Sequence, residues 1–250
     1  MNILDTENTP EIIGNLEAAL GTQPGFFISL VAETDWSFVI KVHALIESAF
    51  THLISHTLAI SIEDYTSDEF DKSELSRTIA WMELSGKRTG KVALSRSLGL
   101  IFDNQIRFIS RLSELRNELI HDAKNLSFNF AKYVARLDPN QKKVLIEAFG
   151  FAVGSTESIK ALLNTELSRE EFVLRHPKFA IWLCALMCLS EIECCVSSFT
   201  SHRKLVEIHQ QKADTLDQLM HVLEPIANMA AANQSPAANT HNNDIGIVRK

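Results

Sequence analysis

The sequence predicts an all-α fold. Apolar residues recur at spacings of three and four over long stretches, whereas the alternating Val, Ile and Thr runs that specify strands are few. Only nine Gly and six Pro occur in 250 residues, so breaks are sparse, and a hydrophobic content of 46% is enough to bury a sizeable core.

The elements follow in order. Thr9-Pro10 has the form of an N-cap with Pro in the first turn, starting a short helix to about residue 20, and Gly21-Thr22-Gln23-Pro24-Gly25 makes a turn. Thr34 or Asp35 caps a longer helix, expected to run to about residue 60, whose stripe is Phe38, Val42, Leu45, Ile46, Ala49, Leu53 and Ile54. An acidic loop at residues 63–69 precedes a helix at 72–84. A basic turn at 86–90 leads into a helical piece at 91–101, and Asp103 is expected to cap a helix that reaches about His121. Helical patterns follow at 139–149 and 155–167, separated by Gly150 to Gly154. Pro177 opens an apolar helix to about residue 199, and a more polar helix spans 202–223. After Pro225 the chain is rich in Ala and Asn and lacks aromatics, so disorder is expected. No repeat of solenoid length is visible.

Charge and apolar runs narrow the function. A net charge of -7 argues against sequence-independent nucleic-acid binding by the whole surface. The basic residues are nevertheless unevenly placed: Lys87, Arg88, Lys91, Arg96, Arg107 and Arg111 fall between residues 84 and 112, against Asp103 alone. No charged start with an apolar stretch and cleavage site opens the chain, and the longest apolar run, 179–189, reads as a buried helix too short to cross a bilayer. Cys184, Cys188, Cys194 and Cys195 share that helix without a nearby His, as small thiols of a reducing environment. A cytoplasmic protein without a membrane partner is expected.

The informative local word is Arg116-Asn117-Glu118-Leu119-Ile120-His121, at the end of the 103–121 helix. At about 100° per residue, Ile101, Phe108, Leu112, Leu115 and Leu119 form the buried face, with Arg116 on its flank. Asn117 and His121, four apart, project together on the polar side, about 100° or more from Arg116. A single ideal helix therefore does not join the Arg and His heads. A long Arg side chain running along the helix, or a two-fold dimer presenting a second copy of the motif, can do so.

The segment from about residue 32 to 127 resembles the HEPN superfamily, closest to the group that includes the mannitol operon repressor. The resemblance is carried by Leu45-Ile46-Glu47-Ser48-Ala49-Phe50 on a long early helix, by Lys91-Val92-Ala93-Leu94-Ser95-Arg96-Ser97-Leu98-Gly99-Leu100-Ile101, and by the helix ending in Arg-Asn-x3-His. It departs in having Ala123 where many HEPN toxins carry a Tyr, and Ile120 before the His where the repressor group has an aromatic residue or Ala. The resemblance implies an antiparallel HEPN-like bundle over residues 25–135, preceded by an N-terminal helix and turn (1–24). Additional helices (136–224) then pack on that core, and a tail closes the chain (225–250).

It also implies metal-independent RNA cleavage without a cofactor, in a homodimer. In that scheme Arg116 holds the scissile phosphate, His121 moves the proton and Asn117 orients either. Glu47 supports Arg116, and the six basic residues track the RNA backbone. Such a protein is expected to be the effector of a toxin-antitoxin or phage-defence system, restrained by an antitoxin or regulatory partner. The alternative is a non-catalytic HEPN regulator acting in transcription control through protein contacts.

Other words carry less. Gly86 to Gly90 followed by Lys91-Val92 has its glycines one residue too close for a phosphate loop, and Val92 replaces the magnesium-binding Ser or Thr. His43, His52 and His56 have helical spacing but no Glu between the last two as in a zinc protease, so no metal is expected there. A helix-turn-helix over residues 141–164 lacks a basic reading surface.

Overall fold

The computed structural model describes residues 14, 17, 18, 20–63, 72–86, 88–153 and 167–232. They are all-helical, with no strand among them. In chain order the helices are α1 (Phe26–Ala32), α2 (Asp35–Glu63), α3 (Lys72–Ala80), α4 (Lys91–Ser97) and α5 (Asp103–Ile120), then a 3-10 turn at Ala123–Ser127. They continue with α6 (Phe130–Arg136), α7 (Pro139–Phe149), α8 (Arg169–Arg175) and α9 (Pro177–Ala232).

Capping chemistry explains most of these starts. Thr34 Oγ1 accepts the Ser37 amide at 3.3 Å and so caps α2. Asp138 accepts the Gln141 amide at 2.8 Å while the Gln141 side chain accepts the Asp138 amide at 3.0 Å, a capping box with Pro139 at its first position. Gly25 precedes α1 with φ 82, a left-handed conformation suited to glycine, and its amide is held by the buried Glu17 carboxylate at 2.7 Å. Asp103, expected as a cap, is the first helical residue of α5 instead. The Gln105 side chain turns back to accept the Phe102 amide at 2.8 Å, which leaves Asp103 free to pair with Arg96 at 3.5 Å.

The chain divides into two compact units, residues 1–200 and 201–250. In the first, α2 packs against α1, α3, α4 and α5, and α5 packs against α7, which also contacts α8. The expected stripe of α2 is buried, with Leu45 partly so, and Phe108, Leu112, Leu115 and Leu119 bury the predicted face of α5. Phe149, Phe172, Ile181 and Leu183 belong to the same continuous core as Phe38 and Phe108. The described residues between 136 and 200 therefore contribute to that core. In the second unit Leu205 and Ile208 are exposed, and Gln210 donates to Asp214 at 3.0 Å.

Several boundaries differ from the sequence reading. The helices expected at 177–199 and 202–223 are one helix, unbroken at Thr200-Ser201, and Pro225 lies within it. Helix α3 stops at Ala80, and the chain beyond it turns back to bury Leu84. The short helices α1, α6 and α8 carry too few turns to show a period and were not foreseen. The short N-terminal helix lies almost entirely, and the acidic loop largely, outside the described residues, as do the 155–167 helix except Leu167, the tail beyond residue 232, and Lys87.

By length and composition Asp35–Leu58 and Pro177–His202 are each long and apolar enough to cross a membrane, the second extending well beyond the apolar run 179–189 that is too short by itself. The apolar windows are 50% and 61% buried inside the fold.

Candidate functional site

Three stretches of chain meet at a cleft of about 200 Å³: α2, the connection between α3 and α4, and the C-terminal half of α5. Their periodicity sets the site. On α2, His43 and Glu47 are four apart and project together; on α5, Ser113 and Arg116 are three apart and do the same. Asn117, Glu83 and Ser85 complete the polar lining.

Arg116 Nη1 donates to Asn117 Oδ1 at 3.0 Å, so the long Arg side chain does run along the helix to the polar side. His121 does not join them. It is the exposed residue that ends α5 and does not line this cleft.

Glu47 lies in the cleft, as part of an ion-paired cluster. Lys91 is 1% exposed, and its ammonium donates to Glu47 Oε1 at 3.1 Å and to the Ala80 carbonyl at 3.3 Å. On the other side His43 Nδ1 stands 3.9 Å from Glu47 Oε2, and His43 Nε2 is 3.2 Å from Ser113 Oγ. His43 is 7% exposed. Burial holds its imidazole below the ordinary value against the opposing pull of Glu47, and the Arg116 and Lys91 charges depress it further.

The basic residues proposed to track RNA are dispersed. Lys91 is buried and engaged. Arg88 is exposed, Arg96 pairs with Asp103, and Arg107 lines a separate hollow with Glu147 and Arg169. Arg111 is half-buried, donates to Glu114 at 2.8 Å and to the Tyr133 hydroxyl, and keeps an unpartnered Nε.

Another cationic group is found instead in a cleft of about 450 Å³ where the end of α5, the 3-10 turn and α6 meet. There Lys124, Lys132 and Arg136 stand with Tyr133 and Phe128, against Glu118. The Phe128 and Tyr133 rings are 5.6 Å apart.

His43, Ser113 and the cations of this second cleft were not assigned from sequence. His43 was grouped with His52 and His56 by spacing along α2, but those two rings stack on each other at 5.9 Å, and His56 bonds Thr200 at 3.0 Å. Among the described residues no group of three or more His, Cys, Asp or Glu side chains is placed to hold a metal. The available signal for His43 was its i,i+4 relation to Glu47, a residue already singled out.

No protein-family model, no curated protein and no solved structure matches the chain.

Proposed function

We propose that this chain is a HEPN-type, metal-independent endoribonuclease, the effector of a toxin-antitoxin or phage-defence system. In this reading residues 25–135 form the HEPN-like bundle of a cytoplasmic homodimer restrained by a protein partner. The observation that carries it is the convergence of Arg116, Asn117 and Glu47, from two helices far apart in sequence, on one polar cleft.

The chemistry follows from the residue types. Arg116 binds the scissile phosphodiester and stabilises the negative charge that grows on its oxygens during attack by the ribose 2'-hydroxyl. Asn117 fixes the guanidinium through the 3.0 Å bond. His121, exposed at the end of α5, reaches the reacting atoms from a second copy across a two-fold interface and transfers a proton. Lys124, Lys132 and Arg136 hold the RNA backbone beyond the cut site, with Arg88 in support.

Expression of the wild type in a bacterium is expected to slow growth and fragment RNA, and Arg116→Ala and His121→Ala are expected to abolish both. A wild type that neither slows growth nor cuts RNA, with both variants behaving identically, sinks the reading. The placement of His121 outside the Arg116 cleft favours a second reading, a non-catalytic HEPN regulator working through protein contacts. In that case the variants alter partner binding and leave RNA intact.

A further inference from the structure

The floor of the Arg116 cleft holds two polar side chains to which the reading above gives no task. Ser113 is 2% exposed and His43 7%, yet both line the cleft. Burying an imidazole and a hydroxyl costs free energy unless they satisfy one another, and here they do, at 3.2 Å. The Glu47 carboxylate lies 3.9 Å from Nδ1, too far for a direct bond and close enough to favour a proton there. Nε2 then carries the lone pair and accepts the Ser113 hydroxyl. Glu47 is in turn anchored by the buried Lys91 ammonium at 3.1 Å. The sequence of contacts is a carboxylate, an imidazole and a hydroxyl, ending one helical turn before Arg116.

We propose that Ser113 and His43 form a proton relay at the floor of this cleft and serve as the base for a hydroxyl-bearing phosphodiester held by Arg116. The relay rests on the endoribonuclease reading. The 2'-oxygen loses its proton to Ser113 Oγ as the Ser113 proton passes to His43 Nε2, and the imidazolium formed is stabilised by Glu47. The 2'-oxygen bonds to phosphorus, the bond from phosphorus to the 5'-oxygen breaks, and that oxygen takes a proton from His121 of a second copy. The products are a 2',3'-cyclic phosphate and a 5'-hydroxyl. His43 is thus a positioning and proton-accepting group behind Ser113, and His121 the acid.

The charged groups facing His43 are Glu47 on its own helix, Arg116 on α5 and Lys91 on α4; Glu83, from the connection before α4, shares the cleft. Burial together with the two cations keeps the imidazole neutral near pH 7, ready to accept a proton.

The test uses the full chain with two readouts. Cleavage of a short single-stranded RNA is followed between about pH 5 and 9 for the wild type, His43→Gln, Ser113→Ala and His121→Ala. Imidazole NMR signals of the wild type are followed while a 2'-deoxy dinucleotide, which cannot be cut by this route, is added. Expected are a fall of about 10²-fold or more in kcat for His43→Gln and Ser113→Ala with KM little changed, loss of the low-pH limb of the profile in His43→Gln with the high-pH limb kept, and no cleavage by His121→Ala. His43 signals are expected to move with the dinucleotide, which needs no variant to fold.

A wild type that cuts RNA while His43→Gln and Ser113→Ala match it overturns the relay and leaves the endoribonuclease standing. Unmoved His43 signals under a dinucleotide that shifts the Asn117 amide do the same. A Ser113 nucleotidylated through its Oγ, with the 5'-hydroxyl nucleoside released, after exposure to the dinucleotide overturns the relay in favour of direct attack by the serine. A wild type that cuts no RNA overturns both.

Discussion

The two clefts beside the C-terminal half of α5 are built on opposite principles. The smaller, of about 200 Å³, sets His43 and Ser113 into the protein interior, with Lys91 buried behind its Glu47, and each of the three has a partner within 3.2 Å. The larger, of about 450 Å³, presents exposed cations around half-buried aromatic rings. Fixed dipoles and charges out of water act strongly on whatever enters and cost no reorganisation. Exposed lysines act weakly, over a longer range, and are screened by salt. On the proposed function, the contrast suits the first cleft to chemistry and the second to grip.

The sharpest way to break that division is Arg116→Ala. On the proposed mechanism it removes about 10²–10³-fold of the RNA-cleavage rate, equivalent to about 3–4 kcal/mol of transition-state stabilisation. Chemical denaturation is expected to show little change, since Arg116 is only half-buried and its bond to Asn117 is exposed.

Next comes Lys91→Ala, which strips the buried partner from Glu47 and empties the site it filled. It is expected to lower the unfolding free energy by about 3 kcal/mol, near the lower end for a broken buried pair because Glu47 can rehydrate. A loss below about 0.5 kcal/mol in urea titration would show that the cluster does not hold the cleft together.

Charge reversal at Lys132 and Arg136 should leave stability nearly unchanged and weaken single-stranded RNA about tenfold. The slope of log affinity against log salt should become shallower by roughly 0.7 for each phosphate no longer neutralised. Fluorescence anisotropy on a His121→Ala background checks this without cleavage, and an unchanged slope would move the RNA path elsewhere.

The smallest effect concerns pH. The folded imidazole of His43 lies below its ordinary value, so the unfolded chain binds the proton more readily. The contribution is absent above the unfolded value, near 6.5, and stability is lost as pH falls below it towards the depressed folded value. His43→Gln should flatten that part of the stability curve. A slope that persists in the variant assigns it to other groups.

Which parts of the molecule were legible follows from what leaves a period in sequence. The stripe from Phe38 to Ile54 and the face from Phe108 to Leu119 are long enough to show helix, orientation and core together. Arg116, Asn117 and Glu47 were visible as a motif and as an acid within an apolar stripe, and they do meet. Lys91 read as part of a basic run, because sequence shows its charge and not the carboxylate 44 positions earlier that takes it inside. Ser113 looked like an ordinary polar residue, and its partner is 70 positions away. Pro225 was read as a terminator, whereas helix α9 continues through it to Ala232.

The four cysteines of α9 make the molecule its own clock. Cys194 is exposed, while the Cys184 thiol is buried, donates to the Phe149 carbonyl at 3.2 Å and is pushed up to about 12 by burial; Cys188 is raised in the same direction. A thiolate-seeking reagent therefore marks Cys194 in the native state and reaches Cys184 and Cys188 only when the core opens around them. The ratio of slow to fast labelling at a fixed pH reads the opening equilibrium of the core that supports α5, with no probe added to the chain.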